Sequence, residues 1–177
     1  ARVAGRRQRH GPGRPAAPGS AAACGELADL TPPPTVRAFF DAPTATPRGG
    51  VLFLHGWSGD RTGPHRVFVR FARQLTSSGL LCARPDFIGR GLSDGDAAEA
   101  SILRMTANAQ EALDKLRRRL PPDAPVCVVA ICSGCKVAIA LASKHPGIDR
   151  LLLWSAESMG SLRSPSTGLR KTLSAAV

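Results

Sequence analysis

Residues 125–143 read PVCVVAICSGCKVAIALAS, and this stretch constrains the fold more than any other. An apolar run of strand length passes through Cys132-Ser-Gly-Cys135 directly into a helical pattern. It is far short of the ~20 residues needed to cross a bilayer. A continuous apolar strand of this kind is expected to be buried on both faces, with helices above and below it. The chain must therefore supply other strands and helices around this one.

It does so from about residue 35. TVRAFFDAP reads as a short strand, and VLFLH as an apolar strand stopping at Gly56. Residues 64–78 set Val67, Phe71 and Leu75 four apart, with Phe68 and Ala72 alongside, an apolar helix face closed by Gly79. GLLCARP is the next strand, followed by the Gly-rich loop PDFIGRGLSDGD. Residues 98–120 carry Ile102, Met105, Ala109, Leu113, Leu116 and Leu120 at helical spacing. Arg117, Arg118 and Arg119 lie at the negative end of the dipole, and Pro121-Pro122 stops the helix. A helix over about 133–144 and a buried strand IDRLLLW follow, and 168–177 reads as the start of another helix. Strands alternating with helices predict an α/β fold, a mostly parallel sheet with right-handed crossovers. Ligands on such sheets collect at the carboxyl ends of the strands. Loops begin there at His55-Gly56-Trp57, at Asp86 to Asp96, and at Cys132.

The formal charge is +11, with five arginines and no acid in residues 1–25. Aromatic residues do not interleave with the basic ones as a nucleic-acid stacking platform requires, so the reading is a solvated basic surface and no nucleic-acid or membrane partner. Residues 1–30 are rich in Arg, Gly, Pro and Ala without periodicity, and are expected to form a disordered tail. Residues 31–177 are expected to form one partial domain. Five irregularly spaced cysteines suit a reducing, cytoplasmic setting.

Cys132 and Cys135 admit several chemistries. A C-x-x-C opening a helix after a strand suits a dithiol oxidoreductase. The number of strand–helix units upstream argues against a small thioredoxin core. A zinc site needs a second ligand pair, which Cys24, Cys82 and Cys127 do not offer. A nucleophile on a sharp strand-to-helix turn needs small residues two before and two after it. Around Cys132 these are Ala130 and Gly134; around Ser133 they are Ile131 and Cys135. The spacing therefore selects Cys132, with the backbone N–H of Ser133 placed to hold an oxyanion.

Over roughly residues 35–157 the chain resembles the α/β-hydrolases, in their serine-aminopeptidase- and esterase-like branch. GGVLFLHGWSGD is similar to their strand and His-Gly loop. RPDFIGRGLSDGD resembles their Asp-x-x-Gly-x-Gly-x-Ser loop at Asp86, Gly89, Gly91 and Ser93. VVAICSGCKVAIALA resembles the nucleophile elbow. The resemblance implies Cys132 as nucleophile and the amides of Trp57 and Ser133 as oxyanion donors. It implies a small-molecule acyl substrate, no cofactor and no metal. It also implies that His55 braces the oxyanion loop, and that Asp86, Ser93 and Asp94 fix their loop and the helix start after it. Ala130 and Cys132 replace the more usual Gly and Ser, and a Cys132–Cys135 disulfide would silence the site.

The chain order in this fold is nucleophile, acid, histidine. Beyond Cys132 there is one histidine, His145, which a helix of ~1.5 Å per residue carries roughly 18 Å from the elbow. Glu157 is an alternative acid, and His65 is expected to face solvent. The triad acid and histidine are expected beyond Val177. The expected function is hydrolysis of an ester, thioester or small amide through an acyl-cysteine. A non-catalytic hydrolase-like binding domain and a dithiol oxidoreductase remain as alternatives.

Overall fold

A computed structural model describes residues 24–156. The expected helix over 168–177 and Glu157 lie outside the described residues. One mixed sheet of six strands organises them, in the order β1-β2-β4-β3-β5-β6. These are β1 (Cys24–Asp29), β2 (Arg37–Ala42), β3 (Gly50–Leu54), β4 (Leu81–Pro85), β5 (Val126–Ile131) and β6 (Arg150–Trp154). β4, β3, β5 and β6 run parallel, while β1 and β2 add an antiparallel edge. β1 falls inside the stretch read as a disordered tail. Its composition is poor in strand formers, and pairing along β2 from Cys24↔Ala42 to Asp29↔Arg37 orders it.

The helices are α1 (Val67–Ser77), α2 (Ile102–Arg117) and α3 (Gly134–Ala142). The chain steps from β3 to β4 in one direction, and from β4 to β5 and β5 to β6 in the other. With right-handed crossovers, α1 must then cover one face, and α2 and α3 the opposite one. The core divides accordingly. Phe40, Leu52, Leu54, Met105, Leu116 and Val137 belong to the larger cluster, and Val51, Phe53, Phe68, Ala72 and Cys82 form the smaller one under α1. The strand order reverses between β3 and β5, so their carboxyl ends form the crevice where such sheets hold ligands.

Three burial expectations change. In α1 the buried residues are Phe68, Val69, Ala72 and Thr76, while Phe71 is exposed, because it borders an open groove beside β6 instead of a packed neighbour. β5 is not buried on both faces: Val126, Val128 and Ala130 are buried, and Cys127, Val129 and Ile131 only half so. β6 is exposed along its whole length, because among the described residues nothing pairs with its outer edge. Leu152 and Trp154 line an open apolar groove of about 520 Å³ with Phe53, Phe71, Leu75 and Val129.

A buried ion pair ties the antiparallel edge to the parallel sheet. Arg84 on β4 donates through Nε and Nη2 to Asp41 Oδ2 on β2, at 2.9 and 2.8 Å, with both residues buried. The guanidinium also stacks 4.9 Å from the Phe39 ring centroid. Removing one partner strands the other charge, so Asp41→Ala should cost ~3–5 kcal/mol in urea unfolding. A loss within about 0.5 kcal/mol, the range of ordinary surface changes, would contradict a structural role for the pair.

Candidate active site at the strand-to-helix elbow

The site is built from loops leaving adjacent strands. β5 ends at Ile131, and Cys132 takes a left-handed φ of 56° before α3 begins at Gly134. A non-glycine residue held there stores strain that the surrounding packing must impose. Ala130 is fully buried opposite Leu54. A Cβ on Gly134 would lie 2.5 Å from the carbonyl oxygens of Leu54 and His55, so the first turn of α3 rests on the end of β3. A Cβ on Gly56 would meet Cys132 Cβ at 2.9 Å and Sγ at 3.3 Å. The amide of Cys132 donates to the Trp154 carbonyl at 3.1 Å, anchoring the turn to the end of β6. Cys132 thus stands in the left-handed turn between β5 and α3, with Ala130 two residues before it and Gly134 two after.

Trp57 and Ser133 meet beside it, in an arrangement the sequence did not suggest. The Trp57 amide donates to the Ser133 hydroxyl at 2.6 Å. The Ser133 side chain thus occupies one of the two amides expected to hold an oxyanion. Trp57 is 45 % exposed, Ser133 is buried, and Cys132 is half-buried.

His55 is buried behind this loop. Its Nδ1 donates to the Gly56 carbonyl at 2.7 Å, and its Nε2 accepts from the Phe87 amide at 3.2 Å. Both ring nitrogens are committed, so His55 is a neutral brace between the first and second loops. Burial holds its pKa below the ordinary imidazole value of 6.5, against the opposing pull of the Gly56 carbonyl.

The second loop is wired around Asp86. Its carboxylate accepts from the Arg61 amide at 2.7 Å, the Arg61 guanidinium at 2.6 Å and the Leu92 amide at 2.8 Å. Gly91, at φ 53°, lies so close that any Cβ would collide with the Asp86 carboxylate. Ser93 donates to the Asp86 carbonyl and accepts from the Arg37 amide. Asp94 pairs with Arg37 at 2.7 Å and accepts from the Thr35 amide. Asp86, Ser93 and Asp94 therefore fix the loop to β2, but not the helix start after it. Ser101 caps α2, accepting from the Arg104 amide at 3.1 Å, and Asp96 with Glu99 caps the preceding 3-10 turn.

Cys132 and Cys135 are both thiols. Cys135 is buried, with Sγ 3.4 Å from the Ala130 carbonyl and 3.6 Å from that of Trp154. Burial pushes the Cys82 thiol up to about 12 and raises that of Cys127. Among the described residues no group of three or more His, Cys, Asp or Glu could hold a metal, and no helix is long and apolar enough to cross a membrane.

The family model for serine aminopeptidases, S33, matches residues 45–175. The chain belongs to this family, within the α/β-hydrolases. Similar solved structures carry the same fold. A thermostable carboxyl esterase from Bacillus coagulans is 19% identical, with a TM-score of 0.61 over 73% of this chain and 43% of its own. An α/β-hydrolase from Penicillium sp. sh18 is 14% identical, with a TM-score of 0.64 over 85% and 53%. A thioesterase domain from the curacin biosynthetic pathway is 22% identical, with a TM-score of 0.62 over 84% and 52%. This S33-family chain thus spans about half the length of these structures. No curated protein matches it.

The three histidines among the described residues sit apart in this family member. His55 is committed to the loop, His65 is exposed on the 3-10 turn, and His145 follows the far end of α3. The brace role of His55 has a measurable consequence. Below about pH 6.5 the unfolded chain takes up a proton that native His55 refuses, so stability should fall as pH drops through that value. In urea titrations across this range, His55→Gln should flatten the fall. An unchanged slope in the variant would remove His55 from the loop's support.

Proposed function

We propose that this chain carries the nucleophile of a hydrolase that cleaves an ester, thioester or small amide through an acyl-enzyme on Cys132. The observation that carries the reading is the left-handed turn at Cys132, packed between Ala130, Gly134 and Gly56 at the crevice of the sheet. The α/β-hydrolase fold and the family membership support the reaction class. The turn lies at the carboxyl end of β5, directly before α3, whose N-terminus would favour negative charge developing on the sulfur.

In the first step the sulfur, its proton taken by a general base, attacks the acyl carbon. The carbon–sulfur bond forms, and the leaving oxygen, sulfur or nitrogen departs with a proton. Water then attacks the thioester, releases the acid and returns the proton to sulfur. The amides of Trp57 and Ser133 would hold the oxyanion in both steps. For Trp57 this requires the Ser133 hydroxyl to yield its hydrogen bond. In the chain order of this fold the base follows the nucleophile and an acid.

A binding domain without catalysis is the second reading. It is favoured by the Trp57 amide already being taken by Ser133. Hydrolysis of short-chain p-nitrophenyl esters separates the two. Cys132→Ala should lower kcat/KM by roughly a thousandfold or more. Equal rates in wild type and variant would exclude Cys132 as the nucleophile, and no turnover of any ester would favour the binding domain. Ser133→Ala keeps the Ser133 amide and releases that of Trp57, so kcat should rise a few-fold. A fall of about a hundredfold, the worth of one oxyanion donor, would instead give the hydroxyl a role in holding the oxyanion.

A further inference from the structure

Arginines crowd the carboxyl end of the sheet, and one of them stands apart. Arg84 is neutralised by Asp41, and Arg61 by Asp86. Arg90, in the second loop between Gly89 and Gly91, forms no ion pair among the described residues. Its Nε is buried without a hydrogen-bond partner. A buried guanidinium N–H left unmatched is costly, and a charged partner repays the cost best.

Its position points to what that partner is. The Arg90 guanidinium lies over the Trp57 ring, 5.9 Å from the centroid. Trp57 in turn reaches the elbow through its amide, 2.6 Å from the Ser133 hydroxyl. One residue therefore touches both the elbow and the cation, and its half-exposed indole gives an apolar surface beside the charge. An acyl chain lying along an aromatic face with an anion at its end fits such a surface. Neighbouring Arg61 is already spent on Asp86, which leaves a single positive charge. That matches a monovalent carboxylate better than a doubly charged phosphate.

We propose that Arg90 is a specificity-determining residue that binds a carboxylate on the acyl side of the substrate, so that the preferred substrates are monoesters or monothioesters of short dicarboxylic acids. The Arg90 guanidinium would receive the distal carboxylate, with the chain against Trp57 and the acyl carbon at Cys132. The substrate class rests on the acyl-cysteine reading; anion binding at Arg90 does not.

The test uses the full-length protein in two arms. In the first, calorimetry follows glutarate binding to wild type, Arg90→Gln and Arg90→Lys. Glutarate should bind wild type, lose roughly tenfold or more in affinity in Arg90→Gln, and retain part of it in Arg90→Lys, which keeps the charge but not the fork. In the second arm, kcat/KM for mono-p-nitrophenyl glutarate is divided by that for p-nitrophenyl valerate. The ratio should fall roughly tenfold or more in Arg90→Gln. Circular dichroism confirms that the variants are folded. Equal glutarate affinity in wild type and Arg90→Gln, or none in wild type, overturns the proposal. So does tighter binding of inorganic phosphate than of glutarate. Glutarate binding that depends on Arg90, with neither ester turned over, supports the anion site and overturns only the acyl-cysteine reading.

Discussion

The rest of the site depends on one close approach, where the first turn of α3 lies on the carbonyls that end β3. Gly134 has no room for a side chain against the Leu54 and His55 oxygens, and Gly56 has almost none against Cys132. These contacts lock the loops after β3 and β5 into one crevice. They also force Cys132 into its left-handed turn, since a β-conformation there would carry the chain away from β3. The strain is local, and the surrounding sheet holds it: Cys127 to Ile131 pair with β6, and Val126 to Ala130 pair with β3. Sheet order and elbow geometry thus depend on each other.

Behind this contact stands a polar frame. Asp86 gathers three donors from the first and second loops, His55 joins those loops from the inside, and Asp94 and Ser93 fasten the assembly to β2. Almost every buried polar atom in the frame is paired, as burial demands. The exception among the described residues is Arg90 Nε, on the guanidinium that lies over the Trp57 ring. A frame that rigid can hold two loops in register while one cation waits for a partner.

Much of this was legible in the sequence because its causes are local. Apolar runs placed β2 to β6 close to their observed bounds, and Ala130 and Gly134 marked the elbow at Cys132 by spacing alone. What escaped had non-local causes. β1 looks like tail until β2 is there to pair with it. β6 is as apolar as an interior strand, yet Leu151 to Trp154 are exposed, because burial depends on what lies alongside. Phe71 on α1 is exposed for the same reason, since it borders the open groove beside β6. The hydrogen bond from Trp57 to Ser133 joins residues 76 apart, and no spacing rule reaches that far. Arg90 sits in the sequence as one arginine among many, and only the pairing of Arg61 and Arg84 sets it apart.

The central claim is that Cys132 forms the covalent bond to the acyl group. The most direct measurement is mass spectrometry of the full-length protein, acid-quenched during turnover of a p-nitrophenyl ester and digested to map the adduct. The account predicts an acyl mass on the peptide containing the elbow, fragmenting to Cys132, and absent in Cys132→Ala. An acyl group on Ser133, on Cys135 or on another residue, with Cys132 unmodified during measurable turnover, would contradict it.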